Sequence, residues 1–336
     1  MTIDTRNPAT GEQLESYAEL TESEIETKLA KAADRYADWR QSDYKTRTDL
    51  LASIADAFES RSEELGRQIT LEMGKTFASA KAEAEKCATA FRFYAENGPA
   101  LLEDQPWERA DGKVYTRYLP MGPVLAVMPW NFPLWQAVRF LAPTIMAGNV
   151  GLLKHASVTM GCAELIDQVL RDAGAPEGLF QNLVIKSDAV AAIVEDDRIV
   201  AATLTGSEGA GSAVAETAGK CLKKMVLELG GSDPFIVMPS ADIADAAEKA
   251  VKARIQNTGQ SCICGKRMIV HADVYDSFMD KFRAGMKAVK WGDPFDENTD
   301  MGPLSSFDQR DTVLEQIEKV RQTDATVEFG GEAVDD

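Results

Sequence analysis

Histidine is nearly absent from this chain: only His155 and His271 occur among 336 residues. That scarcity excludes a His-rich metal site and leaves little room for a serine–histidine or cysteine–histidine relay, so any nucleophile here needs a different base. Cysteines number five, at 87, 162, 221, 262 and 264, with no CxxC pair. They are too few for a disulfide-built fold and fit a reducing compartment. No stretch approaches the roughly 18 uninterrupted apolar residues of a membrane span. The opening MTIDTRNPATGE also lacks the basic-then-apolar pattern of an export signal. A soluble, cytoplasmic protein without a membrane partner is expected. Cations are in the minority, 36 against 54 acidic residues, for a net charge of −18. Such a surface repels a phosphate backbone, which excludes nucleic acid as a partner. The acidic surplus fits an ordinary acidic enzyme or a chain adapted to high salt, where carboxylates hold water and counterions screen their repulsion. The salt reading requires activity and melting temperature to respond to molar KCl.

What is present is enough apolar material, 45% of residues, for two hydrophobic cores. The first hundred residues read as helices. One begins at Thr21 with Glu24 three places on, a capping box ahead of Ile25, Leu29, Ala32, Tyr36 and Trp39 on one face. A second is predicted over 48–60 and a third over 78–97. From Val114 short β-prone runs alternate with helical stretches: 115–120, 124–128, 150–154, 183–185, 199–205 and 225–229 as strands, with helices near 134–147, 159–173 and 209–219. That alternation is the sign of a parallel sheet with helices on both faces, whose ligands sit at the carboxyl ends of the strands. A second α/β series begins near Gly230, with strands at 235–238, 268–270 and 326–329 and helices near 242–256 and 274–289.

Several segments carry residues suited to chemistry. NTGQSCICGKR at 257–267 places Cys262 after Gly259 and Gln260 and just before Arg267, a candidate nucleophile; a free cysteine is otherwise a small buried hydrophobe. MPWNFP at 128–133 holds Asn131 in a Pro-bounded turn after a strand, either an Asx turn or an amide donor aimed where negative charge develops. LELGG at 227–231 ends a strand with Glu228 inside an apolar run. Burial there raises a carboxylate's pKa and makes a general base for water, unless the side chain turns outward on an edge strand. Lys154 and Ser157 in LLKHAS offer an ammonium and a hydroxyl to a ribose or phosphate. LTGSEGAG at 204–211 supplies Gly206 and Gly211 beside a helix N-terminus.

Together and in this order, MPWNFP, the lysine of LLKHAS, TGS with Gly211, LELGG and NTGQSC resemble the aldehyde dehydrogenase superfamily. The resemblance runs from RNPATGE near residue 5 to the last residue, through LEMGKT and GDPFDENTDMGPLSS. It implies an α/β, aldehyde dehydrogenase-like fold. Residues 1–229 would hold the N-terminal helices and a Rossmann-type cofactor domain, with an oligomerisation hairpin near 105–122; residues 230–336 would form an incomplete second α/β catalytic domain. It implies Cys262 as the nucleophile, Asn131 and the Cys262 backbone N–H as oxyanion donors, and Glu228 as the base that hydrolyses the thioester. The dinucleotide would be held by Trp130, Asn131, Lys154, His155, Ala156, Ser157, Gly206, Ser207, Gly211 and Leu229. Ser157 stands where NAD-preferring members carry a glutamate, and His155 where proline is usual, so NADP is expected to be accepted at least as well as NAD. LLKHAS, LELGGSDPFIV and QNTGQSC are most similar to the members that oxidise succinic semialdehyde, with Trp135 lining the entrance and Arg139 either a candidate for the substrate's carboxylate or a solvated helix residue. Cys264 two places after the nucleophile reads as packing, with a redox pair as the alternative. The series stops before the family's glutamate–phenylalanine–glycine–proline motif, so about a quarter of a member is expected to be missing. A homo-oligomer, dimer or tetramer, is implied for a full-length member. The competing expectations are a nucleotide-binding remnant without turnover and a dehydrogenase for another aldehyde.

Overall fold

The computed structural model describes residues 1–108 and 111–334. The chain divides into two compact units, one made of residues 1–5, 15–69 and 78–230, the other of residues 6–14, 70–77 and 231–336.

A two-stranded sheet opens the chain, β1 (Thr2–Arg6) with β2 (Gln13–Ala18). Helix α1 (Glu22–Trp39) starts at the predicted capping box: Glu24 N–H donates to Thr21 Oγ1 and Thr21 N–H to the Glu24 carboxylate. Its Leu29, Ala32 and Trp39 are buried. Helix α2 (Tyr44–Ser60) begins four residues before the predicted Thr48, because the Asp43 carboxylate accepts Thr46 N–H at 2.8 Å and caps it there. Helix α3 (Ser62–Met73) was not predicted, although Leu65, Ile69 and Met73 at helical spacing are fully buried. Helix α4 (Phe77–Leu101) follows.

An antiparallel pair, β3 (Gln105–Trp107) and β4 (Val114–Thr116), occupies the expected hairpin region, of which residues 109 and 110 lie outside the described residues. The predicted strand at 115–120 ends at Thr116, and the chain beyond it, with Pro120 lacking an N–H, joins no ladder.

The first unit's main sheet is built from β5 (Pro123–Val127), α5 (Pro133–Met146), β6 (Val150–Lys154), α6 (Met160–Asp172), β7 (Phe180–Asn182), α7 (Val190–Glu195), β8 (Ala201–Thr205), α8 (Glu208–Lys220) and β9 (Lys224–Glu228). Its five strands are all parallel in the order β7-β6-β5-β8-β9, so the chain reverses direction across the sheet between β5 and β8. β6 is buried along its whole length, as its near-continuous apolar run demands. β7 forms three residues before the predicted 183–185, which continues the same edge: Leu183 N–H donates to the Leu153 carbonyl at 2.8 Å. The register sets Lys154 beside Val127 and Glu228 beside Thr205, so the turns after these strands open along one edge of the sheet.

The second unit pairs β10 (Asp233–Val237) with β11 (Gly265–Val270) in parallel, with α9 (Ile243–Ile255) between them in sequence and α10 (Tyr275–Ala288) after them. Val237, Ala247, Ala250 and Phe278 form its core. The predicted strand at 326–329 is not found: Val327 and Phe329 are exposed in irregular backbone, and Glu328 pairs with Arg283. Instead α11 (Phe307–Arg321), capped by Ser306, precedes that segment. None of its residues is fully buried, although Val313, Leu314, Ile317 and Val320 recur along it at helical spacing. Among the described residues no helix is long and apolar enough to cross a membrane, and no cluster of three or more His, Cys, Asp or Glu side chains could hold a metal.

Candidate active site

In the first unit the turn after β5 carries Trp130 and Asn131, both half-buried. Asn131 Oδ1 accepts Phe132 N–H at 3.1 Å, which orients the amide. Met128 N–H donates to the Lys154 carbonyl, tying this turn to the end of β6. Phe132, the N-cap of α5, provides no side-chain cap. That role falls to Glu83 of α4, whose buried Oε1 accepts Leu134 N–H and Trp135 N–H at 2.9 Å each. A carboxylate at a helix N-terminus also meets the favourable end of the helix dipole. Glu83 lies about fifty residues from the turn in sequence, and no local signal pointed to it. The Trp135 ring is covered by the Lys86 ammonium, 3.8 Å from its centroid.

Lys154, at the carboxyl end of β6, is buried, and burial pushes its ammonium pKa down from the ordinary lysine value. Among the described residues no side chain or carbonyl pairs with that ammonium. An unpartnered buried cation fits a ligand that brings its own anion or hydroxyls. Ala156 and Ser157 follow, half-buried, at the start of a single helical turn. These residues fit the phosphate and ribose of a dinucleotide.

His155 does not take the expected part in that site. It is wholly buried, its Nε2 lies 2.9 Å from the Pro133 carbonyl, and its Nδ1 meets Ala156 N–H at 2.8 Å and Thr159 Oγ1 at 2.9 Å. A carbonyl can only accept, so Nε2 carries the proton and both ring nitrogens are occupied inside the protein. Burial is the main cause that pushes the His155 pKa down to about 4 from 6.5. Between those values the unfolded chain binds a proton that the folded chain refuses. The contribution of this group is therefore complete above pH 6.5 and is lost as pH falls towards 4, by about 3 kcal/mol. We expect His155→Leu to flatten the acid side of the melting-temperature profile; an unchanged slope below pH 6.5 would contradict a neutral buried imidazole.

The glycine turn also departs from expectation. Ser207 caps α8 by accepting Ala210 N–H, and Gly206 N–H donates to the Glu228 carbonyl at 3.0 Å. Gly211 is buried, and a Cβ on it would lie 2.6 Å from Leu229 Cδ2. Its missing side chain thus serves the packing of α8 on Leu229 rather than the close approach of a ligand.

The burial expected of Glu228 is absent. β9 is an edge strand, and the Glu228 side chain is 56% exposed. Its carboxylate lies 3.6 Å from Arg139 Nη2, which is also 3.2 Å from Thr205 Oγ1. Arg139 is therefore neither a solvated helix residue nor a free cation. It lies in a groove of about 390 Å³ along the sheet, lined also by Met128, Phe140, Thr203 and Val226, with Glu228 in the same groove.

In the second unit Cys262, half-buried, follows α9 in a loop whose Asn257, Thr258 and Gly259 have φ of 56°, 57° and 71°. Two consecutive left-handed residues without glycine, one of them β-branched, are uncommon and cost of order 1–3 kcal/mol each. The loop is held by bonds to its own backbone. Asn257 Nδ2 and Arg254 Nη1 donate to the carbonyls of Gln260 and Gly259, and Gln260 Oε1 accepts Ser305 N–H at 3.0 Å. The Lys266 ammonium donates at 2.7 Å to both the Cys262 and Gly231 carbonyls, fastening the loop to the end of LELGG. Lys266 was not singled out from the sequence, which starts the strand only at 268, whereas β11 already includes it. Among the described residues no acceptor meets the Cys262 backbone N–H, as an oxyanion donor requires. Cys264 is buried with Sγ against the Gln256 carbonyl, a packing position, and both cysteines are free thiols.

The whole chain, residues 1–336, matches the model of the aldehyde dehydrogenase family. It is 52% identical over 338 residues to succinate-semialdehyde dehydrogenase (NADP+) 1 of Mycobacterium tuberculosis, covering all of this chain and 74% of that protein. A succinate-semialdehyde dehydrogenase (NADP+) of Mycobacterium leprae is 50% identical, again over all of this chain and 74% of its own length. The crystal structure of succinic semialdehyde dehydrogenase from Streptococcus pyogenes with NADP+ superposes with a TM-score of 0.96 at 37% identity, over 99% of this chain and 73% of that one. With an unpartnered lysine at the end of β6, an amide in the turn after β5 and a cysteine in a strained loop, the chain belongs to the aldehyde dehydrogenase family, which oxidises an aldehyde to its carboxylate with a nicotinamide dinucleotide.

Proposed function

We propose that the aldehyde is succinic semialdehyde and that Cys262, Asn131 and Glu228 carry the reaction. The first unit, as the dinucleotide domain, presents Lys154 and Ser157 to the cofactor. The second carries the nucleophile. The Cys262 thiolate adds to the aldehyde carbon, and the resulting oxyanion is held by the Asn131 amide and the Cys262 N–H. A dinucleotide held by Lys154 and Ser157 would supply the hydride acceptor by which the thiohemiacetal on Cys262 becomes a thioester. Glu228 then takes a proton from water, which attacks the thioester carbonyl and returns Cys262 as a free thiol with the carboxylate as product. Self-association through the hairpin at 105–122 belongs to the same proposal.

The observation that carries the substrate assignment is the guanidinium of Arg139 lying in one groove with Glu228. It can exchange that partner for a substrate carboxylate. A charge-assisted hydrogen bond is worth about 1.5–3 kcal/mol, so Arg139→Leu should lower kcat/KM for succinic semialdehyde roughly 10- to 100-fold. The rate with butanal should change much less. Equal losses on both aldehydes would assign Arg139 to Glu228 alone and sink the substrate reading.

For the cofactor, Ser157 leaves room for a 2′-phosphate beside Lys154, and the relatives named as NADP-dependent support NADP as the better partner. Ser157→Glu places a carboxylate there, and the ratio of kcat/KM for NADP over NAD should fall at least about 10-fold through like-charge repulsion. Initial rates with both cofactors check this, and an unaltered ratio would remove Ser157 from the cofactor site.

A further inference from the structure

Two distant side chains between them hold three consecutive residues. Glu83 of α4 accepts the N–H groups of Leu134 and Trp135, and His155, beyond β6, donates Nε2–H to the carbonyl of Pro133. These residues stand two, three and four places after Asn131. Both gripping groups are removed from water, His155 entirely and Glu83 with 5% exposure. Their hydrogen bonds therefore lack competition from solvent and are expensive to break. The imidazole is itself fixed in ring orientation and tautomer by Ala156 N–H and the Thr159 hydroxyl on Nδ1. Helix α5 has no cap of its own, so without Glu83 its first N–H groups would be unsatisfied.

We propose that Glu83 and His155 are positioning residues that hold the Asn131 amide at the oxyanion, and that His155 couples the dinucleotide loop at 154–157 to that turn. The proposal rests on the reading of Asn131 as an oxyanion donor. Its physical basis is that an oxyanion donor works by being placed in advance, and a displacement of about 1 Å can cost 10²-fold in rate. A donor that must be reoriented at the moment of reaction loses that advantage. Proline at position 155 would offer the Pro133 carbonyl nothing, so the histidine adds a constraint of its own here.

The test uses His155→Leu, which removes the donor, and His155→Gln, whose amide nitrogen can restore it, each in the wild-type and Asn131→Ala backgrounds. His155→Leu should lower kcat about 10-fold with KM for the aldehyde changed less than about twofold, and His155→Gln should recover most of the loss. In the Asn131→Ala background His155→Leu should have no further effect, because the group it positions is gone. Amide exchange at Leu134 and Trp135 should accelerate in His155→Leu. An unaltered kcat, or an undiminished loss in the Asn131→Ala background, overturns the proposal. If Asn131→Ala itself keeps the wild-type kcat, it is the oxyanion reading that falls, a different result from the other two. Should His155→Leu not fold, Glu83→Gln serves in its place. It keeps an acceptor oxygen but removes the charge, and the same disappearance of its effect on kcat in the Asn131→Ala background is required.

Discussion

Cys262→Ala should bind NADP as the parent does and lose aldehyde oxidation by a factor on the order of 10⁶, the scale seen when a covalent nucleophile is removed from a site that otherwise stays intact. The separation is expected from the architecture. Cys262 lies in the second unit, whereas Lys154 and Ser157 lie in the first. Removing one sulfur from a loop held by Gln260, Arg254 and Lys266 leaves those hydrogen bonds in place, since none of them uses the thiol. The measurements are steady-state rates with succinic semialdehyde and a dinucleotide titration followed by fluorescence. Turnover near that of the parent would remove Cys262 from the mechanism, and then the strained loop would need another explanation.

Glu228→Gln should separate the two halves of the reaction. Hydride transfer precedes the step that needs a base, so the variant should release about one equivalent of reduced cofactor per active site in a rapid burst and then stall. The steady-state rate should fall by about 10² to 10⁴, the usual contribution of a general base. The acyl group would remain on Cys262 and be trapped by hydroxylamine. Loss of the burst together with the steady-state rate would place Glu228 before the hydride step and overturn its role. The pairing with Arg139 bears on this result. Glu228 is exposed on an edge strand and its carboxylate is engaged by a guanidinium, so acting as a base requires it to leave that partner.

Much of the fold was legible because the signals were local. The capping box at Thr21 and Glu24, the alternation of apolar strands with helices from Pro123 to Glu228, and the turn residues after each strand depend on neighbours within a few positions. Helix α11 was missed although Val313, Leu314, Ile317 and Val320 recur in it at helical spacing, while the apolar residues of the predicted strand at 326–329 face solvent. Gly211 looked like a glycine for a ligand, and the contact that demands it is with Leu229, eighteen residues later.

The sequence by itself determined the residue types and their order: an asparagine after β5, a lysine at the end of β6 and a glutamate at the end of β9 in the first unit, and a cysteine before β11 in the second. Order along the chain suffices for the first three, because parallel strands joined by helices place the turns after β5, β6 and β9 on one edge of the first unit's sheet. Only the tertiary structure decided what each group does once there. It turned Glu228 outward to Arg139, buried Lys154 without a partner, closed His155 on Pro133 and Thr159, and brought Glu83 from a separate helix to cap α5. Those outcomes depend on hydrogen bonds and desolvation between residues far apart in sequence, and a linear pattern carries no information about them.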